Sequence, residues 1–177
     1  LGDWVYINSY APRALTSTAC YHDLTLKVSQ IASLLGKNED AASYAELAAN
    51  IKTAFNKAFY KPGEKTYANG EQTSLAAALY FNLVPPKDVK EVAATLANTI
   101  LENDGLLDCG VLGAKWIPHA LSDNGYEDLT DRLGKINKSY RSLSLVRNRT
   151  RSLRKDAAEL LTVYLDDGNY DMRAYTF

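Results

Sequence analysis

Asp3 and Trp4 stand side by side near the start of the sequence, in LGDWVYINSYAP. A carboxylate accepts hydrogen bonds from hydroxyls, and an indole face stacks on the apolar face of a sugar ring. The pair therefore suits a carbohydrate or small-molecule site. The competing reading makes Trp4 a rim plug and Asp3 a turn cap. Gln72 and Thr73 open the uncharged run QTSLAAALYF. There an amide and a hydroxyl either meet a ligand or, with Glu71, satisfy the free amides of a helix start. Asp108, in DGLLDCG, either joins the same site or caps the helix that follows. Asp3, Trp4, Gln72, Thr73 and Asp108 are the candidate substrate-binding residues. Glu71 and Asp108 are the other carboxylates on that face that would serve an acid/base pair.

Other chemistries find less support. His22 and His119 fall inside helical stretches, and neither has a serine, cysteine or carboxylate at triad spacing. Both read as packed histidines. Cys20 and Cys109 are far apart and lack clustered histidines, so they suggest neither a disulfide framework nor a zinc site. They read as small buried residues. Asp166-Asp167-Gly168-Asn169 lacks the ligand series and distal glutamate of a calcium loop and reads as a solvated turn. No metal and no cofactor is expected. Tyr6, Tyr10, Tyr60 and Tyr67 fall on loop segments where aromatic contacts to a sugar are plausible.

A net charge of -1 gives no electrostatic case for nucleic acid, and no apolar run approaches the ~20 residues of a membrane span. The 177 residues suit one core. The chain starts at Leu1 and its one methionine is Met172, so it reads as a piece of something longer. Cytoplasm and periplasm both stay open as compartments.

These residues need elements to hold them. Apolar spacing predicts helices over about 14–35, 40–59, 72–81, 87–102, 111–121 and 126–136. The first carries Leu24, Val28, Ile31, Leu34 and Leu35 at helical intervals, as an expected core stripe. The second carries Tyr44, Leu47, Ala48, Ile51, Ala54, Phe55, Ala58 and Phe59. The third has no polar face and must be buried all round. Turns near Lys37, Pro85 and Asn124 are short, whereas 1–12, 60–71 and 103–110 are longer loops. Apolar and amphipathic helices alternate, which predicts three hairpins in two layers with the long loops at one end. The expected fold class is all-α, consecutive helical hairpins forming part of an (α/α)6 toroid.

The tail departs from this pattern. Seven of the eight arginines lie between Arg132 and Arg173. Residues 1–138 read as the partial barrel, and 139–177 as a divergent arginine-rich tail with one helix around Leu153 to Leu165.

Gly2-Asp3-Trp4, the hairpin TACYHDLTLKVSQIASLLGKNEDAASYAELAANIKTAFNKAFY, then GEQTSLAAALYFNLVP and DGLLDCGVLGAKWIPHALSDNGYEDL follow in an order and spacing that resemble the catalytic domain of bacterial α-L-rhamnosidases. The resemblance covers roughly Leu1 to Leu133. It implies a six-hairpin barrel with its pocket at the inter-hairpin loops, and Asp3 and Trp4 in the sugar subsite. It also implies inverting hydrolysis of terminal α-linked rhamnose, which needs two carboxyl groups about 6.5–9.5 Å apart. In the family the general acid is a glutamate upstream of the Asp-Trp loop. The general base lies downstream of the third hairpin, in a Gly-Ala-Thr-Thr segment followed by Trp-Glu. Here that region reads SYRSLSLVRNRTRSLRKDAAELLT, without the motif and without a tryptophan. Both catalytic positions are therefore expected to be missing, and the chain to be an inactive fragment of a rhamnoside-binding hydrolase. The competing expectation is a non-catalytic helical-repeat module. Either way, an open barrel edge predicts self-association.

Overall fold

The computed structural model of the chain describes residues 2–136. The tail expected over 139–177, its helix and the boundary at 138 lie outside the described residues.

Six helices follow in order: α1 (Arg13–Leu34), α2 (Asn38–Phe59), α3 (Gln72–Tyr80), α4 (Val89–Glu102), α5 (Val111–Ser122) and α6 (Glu127–Ile136). Each bound lies within about two residues of the expected one. Consecutive helices pair as three hairpins, α1 with α2, α3 with α4, and α5 with α6. Helix α3 also packs between α1 and α5, so the first helices of the hairpins form an inner layer and their partners an outer one.

The three short turns share one device. Gly36, Asn82 and Gly125 have φ of +71°, +54° and +87°. In each case the next amide reaches back five residues: Lys37 N–H to Ala32 O at 2.9 Å, Leu83 N–H to Ala78 O at 2.9 Å, and Tyr126 N–H to Leu121 O at 3.0 Å. A left-handed residue there lets the chain reverse while satisfying the last carbonyls of the helix.

The uncharged α3 is the axis of the core. Every residue from Gln72 to Leu79 is buried. Around it lie Leu15, Phe55, Leu83, Leu96, Ile100, Ile117 and Leu121. His22 and Cys109 are buried, and Cys20 is partly so.

Three expectations need correction. The α1 stripe is exposed: Leu24, Val28, Ile31, Leu34 and Leu35 face solvent, while Leu15, Thr16, Ala19, His22, Thr25 and Ala32 are buried. Helix α1 is apolar on more than one side, and among the described residues it has an inner neighbour, α3, on one side. Periodicity finds such a stripe but not what covers it. The α2 stripe is narrower than expected, with Ala48, Ile51 and Phe55 buried and Tyr44, Leu47, Ala54 and Ala58 exposed. The 60–71 loop holds a small β-hairpin, β1 (Tyr60–Lys61) with β2 (Thr66–Tyr67), paired antiparallel as Tyr60 with Tyr67 and Lys61 with Thr66. Two-residue strands are too short to show an alternating pattern.

Candidate functional site

The five candidate residues converge. The 2–12 loop, the start of α3 and the 103–110 loop with the first turn of α5 meet at one end of the hairpins. Asp3 is at the centre and is 1% exposed. Its Oδ2 accepts hydrogen bonds from the Thr73 hydroxyl at 2.5 Å and the Gly110 amide at 2.8 Å. Its Oδ1 accepts from the amides of Leu112 at 2.8 Å and Gly113 at 3.2 Å. The Val111 amide donates to the Trp4 carbonyl at 2.8 Å. The amides that α5 cannot satisfy internally at its start are thus taken up by two residues far away in sequence. A negative side chain at a helix N-terminus is favoured by both the free amides and the helix dipole. Asp108 does not cap α5, as one reading expected; Asp3 does.

Close approach makes this possible. A Cβ on Gly110 would lie 2.2 Å from the Trp4 carbonyl oxygen and 2.6 Å from Asp3 Oδ1. One on Gly113 would lie 2.2 Å from Thr73 Oγ1 and 2.5 Å from Cys109 Cβ. These glycines were not singled out from sequence. The signal was present: two glycines three apart at a helix start share one face.

Asp108 returns the exchange. Its Oδ1 accepts from the amides of Asn8 at 2.8 Å and Ser9 at 3.1 Å, and the Ser9 hydroxyl donates to the Asp108 carbonyl at 3.3 Å. Burial raises the Asp108 pKa, but the hydrogen bonds from Asn8 and Ser9 outweigh it, and the carboxyl stays below its ordinary value. Gln72 braces the same segment. Its Oε1 accepts the Asp108 amide at 2.9 Å and its Nε2 donates to the Leu106 carbonyl at 3.2 Å. Glu71 accepts the Ser74 hydroxyl at 2.8 Å and the Asn69 side-chain amide at 3.1 Å. So Asp3, Gln72 and Asp108 hold backbone, Thr73 holds the Asp3 carboxylate, and Glu71 secures the start of α3.

Trp4 is different: its side chain is 75% exposed. Val5, Tyr6 and Ile7 are exposed beside it. Val5 has φ +58°, a left-handed conformation that a β-branched residue adopts only under constraint. The Tyr6 and Tyr10 rings lie 5.0 Å apart, and Arg13 Nε donates to the Tyr10 hydroxyl at 2.7 Å. Tyr67 does not face this surface. It is fully buried, its hydroxyl donates to Asn56 Oδ1 at 2.7 Å, and its ring stacks on Tyr60 at 4.9 Å. Burial, with the charges of Asp3 and Asp108, pushes the Cys109 thiol up to about 12, far from a reactive thiolate. Among the described residues no group of three or more His, Cys, Asp and Glu could hold a metal ion, and no helix is long and apolar enough to cross a membrane.

Residues 1–143 match the bacterial alpha-L-rhamnosidase 6 hairpin glycosidase domain. The chain belongs to this family. An alpha-L-rhamnosidase of Formosa agariphila is 31% identical over 129 residues, which is 73% of this chain and 14% of that protein. The crystal structure of Streptomyces avermitilis alpha-L-rhamnosidase complexed with L-rhamnose aligns with a TM-score of 0.68 at 30% identity, over 72% of this chain and 12% of that one. The structure of alpha-L-rhamnosidase from Dictyoglumus thermophilum aligns with a TM-score of 0.66 at 39% identity, over 72% and 15%. The chain therefore spans about one seventh of its relatives. Its three hairpins are part of an (α/α)6 toroid.

Proposed function

We propose that this rhamnosidase-family chain carries part of a sugar-binding face for terminal α-L-rhamnose, with Trp4 as its stacking residue, and that it has no hydrolytic activity alone. The supporting observation is the exposed Trp4 indole on a loop fixed at both ends. Of the five candidates, Trp4 alone leaves its side chain open to a ligand, while Asp3, Gln72, Thr73 and Asp108 act behind it. Inverting hydrolysis requires one carboxyl group to protonate the leaving oxygen and another to activate water. The loop-face carboxylates nominated from sequence, Glu71 and Asp108, are engaged in holding loops, and so is Asp3. Purified chain is expected to bind L-rhamnose, to lose most of that binding in Trp4→Ala, and to leave an aryl α-L-rhamnoside intact. Binding unchanged in Trp4→Ala would overturn the sugar-binding reading. Turnover that disappears in a Glu71 or Asp108 variant would overturn the inactivity.

The interaction-module reading draws on a separate observation, the exposed apolar stripe of α1. Tyr21, Leu24, Val28, Ile31 and Leu35 recur at three- and four-residue steps along about 21 Å of helix. A contiguous row of exposed apolar side chains of this kind marks an interaction surface. We infer that copies of the chain associate through this face.

A further inference from the structure

We propose that Asp3 is a positioning residue and not a sugar ligand: its carboxylate latches the 2–12 loop to the start of α5 and so holds the Trp4 indole outward. This rests on the sugar-binding reading of Trp4. Three observations carry it. The carboxylate is almost wholly buried and already accepts four hydrogen bonds, two on each oxygen. A sugar hydroxyl would have to displace a backbone amide or the Thr73 hydroxyl to reach it. The next residue is fixed by the same helix end, through the Val111 amide on the Trp4 carbonyl. Finally, the anchoring is reciprocal. Asp3 of the first loop accepts amides at 110, 112 and 113, and Asp108 of the other segment accepts amides at 8 and 9 of the first loop. Between these two feet stand Trp4, Val5, Tyr6 and Ile7, all exposed. Four apolar side chains held in solvent by carboxylates at both ends form a preorganised arch, whose ordering cost is met before a ligand arrives.

Two measurements on the full chain test this. The first is amide hydrogen exchange. First-turn amides of a helix have no intrahelical acceptor and ordinarily exchange fast. Protected Leu112 and Gly113 amides are expected in the parent chain, with at least tenfold faster exchange in Asp3→Asn. An asparagine turns a donor toward amides that need an acceptor. Unprotected amides in the parent chain, or unchanged exchange in the variant, would overturn the latch. If Asp3→Asn unfolds entirely, the parent-chain protection still decides.

The second measurement is a double-mutant cycle read by L-rhamnose titration. If Asp3 acts through Trp4, adding Asp3→Asn to Trp4→Ala weakens binding no further than Trp4→Ala alone. If Asp3 touches the sugar, the two losses multiply, and the proposal fails. Should Trp4→Ala bind L-rhamnose like the parent chain, the sugar-binding reading falls, and with it the claim that Asp3 serves a sugar site; amide protection would then report an anchor alone.

Discussion

The Asp3 carboxylate and the Thr73 hydroxyl meet at 2.5 Å in the interior, across 70 residues of sequence. A buried carboxylate is tolerated where its oxygens are fully hydrogen-bonded, and the Gly110, Leu112 and Gly113 amides complete the set. The junction of the first loop, α3 and α5 therefore turns on one side chain.

Alanine at 110 or 113 strikes this junction directly. Each Cβ would sit 2.2 Å from an oxygen, of the Trp4 backbone or of Thr73. Gly110→Ala and Gly113→Ala are each expected to destabilise the chain by about 1–3 kcal/mol. A methyl group on Gly63 would meet nothing within 4 Å, and its φ is ordinary, so Gly63→Ala should stay within about 0.5 kcal/mol. Urea unfolding of the three variants checks both statements.

Stability is expected to fall with acid in two windows. Burial, and then the charge of Lys52, lowers the His22 pKa from 6.5, with Asp23 opposing. The unfolded chain then takes up the proton first, so the contribution is complete above 6.5 and is lost as pH falls below it, by at most about 1.4 kcal/mol per pH unit. His22→Gln should flatten this window. Asp108 has a lowered pKa, so its contribution is present above the ordinary carboxylate value of about 4 and is lost as pH falls through the lower folded value. Asp108→Asn should lessen that second decline, to which Asp88, held low by its hydrogen bond from Lys65, also contributes. Unfolding curves at stepped pH separate the two.

The exposed α1 stripe predicts oligomers at high concentration. Light scattering should give a mass above the 19.5 kDa of one chain and return to it in Leu24→Glu/Ile31→Glu. A monodisperse monomer in the parent chain would refute association through this face.

Helices and turns were legible because their causes are local. QTSLAAALYF has no charge and no polar face, and α3 is buried throughout. Glycine at 36 and 125 marks two of the reversals, and Asn82, which tolerates the left-handed region, marks the third. The gathering of Asp3, Trp4, Gln72, Thr73 and Asp108 at one end was legible from the loop placement. Their division of labour was not. The partners of Asp3 are largely backbone amides more than 100 residues away, and an amide has no residue type to read. The α1 stripe misled for a related reason. Leu24 and Ile31 establish helical period, yet their burial depends on a neighbour outside their own hairpin.

The reach of Asp3 also sets an order of events during synthesis. Its partners at the start of α5 are amides made 107 to 110 residues later. At about 5–20 residues per second, they follow Asp3 by some 5–20 s. Through that interval α1 with α2, and then α3 with α4, have the residues they need to pair, while the Trp4 loop has the Thr73 hydroxyl to fasten to but none of the α5 amides. The newborn chain thus carries Trp4, Val5, Tyr6 and Ile7 on a loop only partly fastened until the third hairpin emerges, an interval in which a chaperone has an apolar loop to shield.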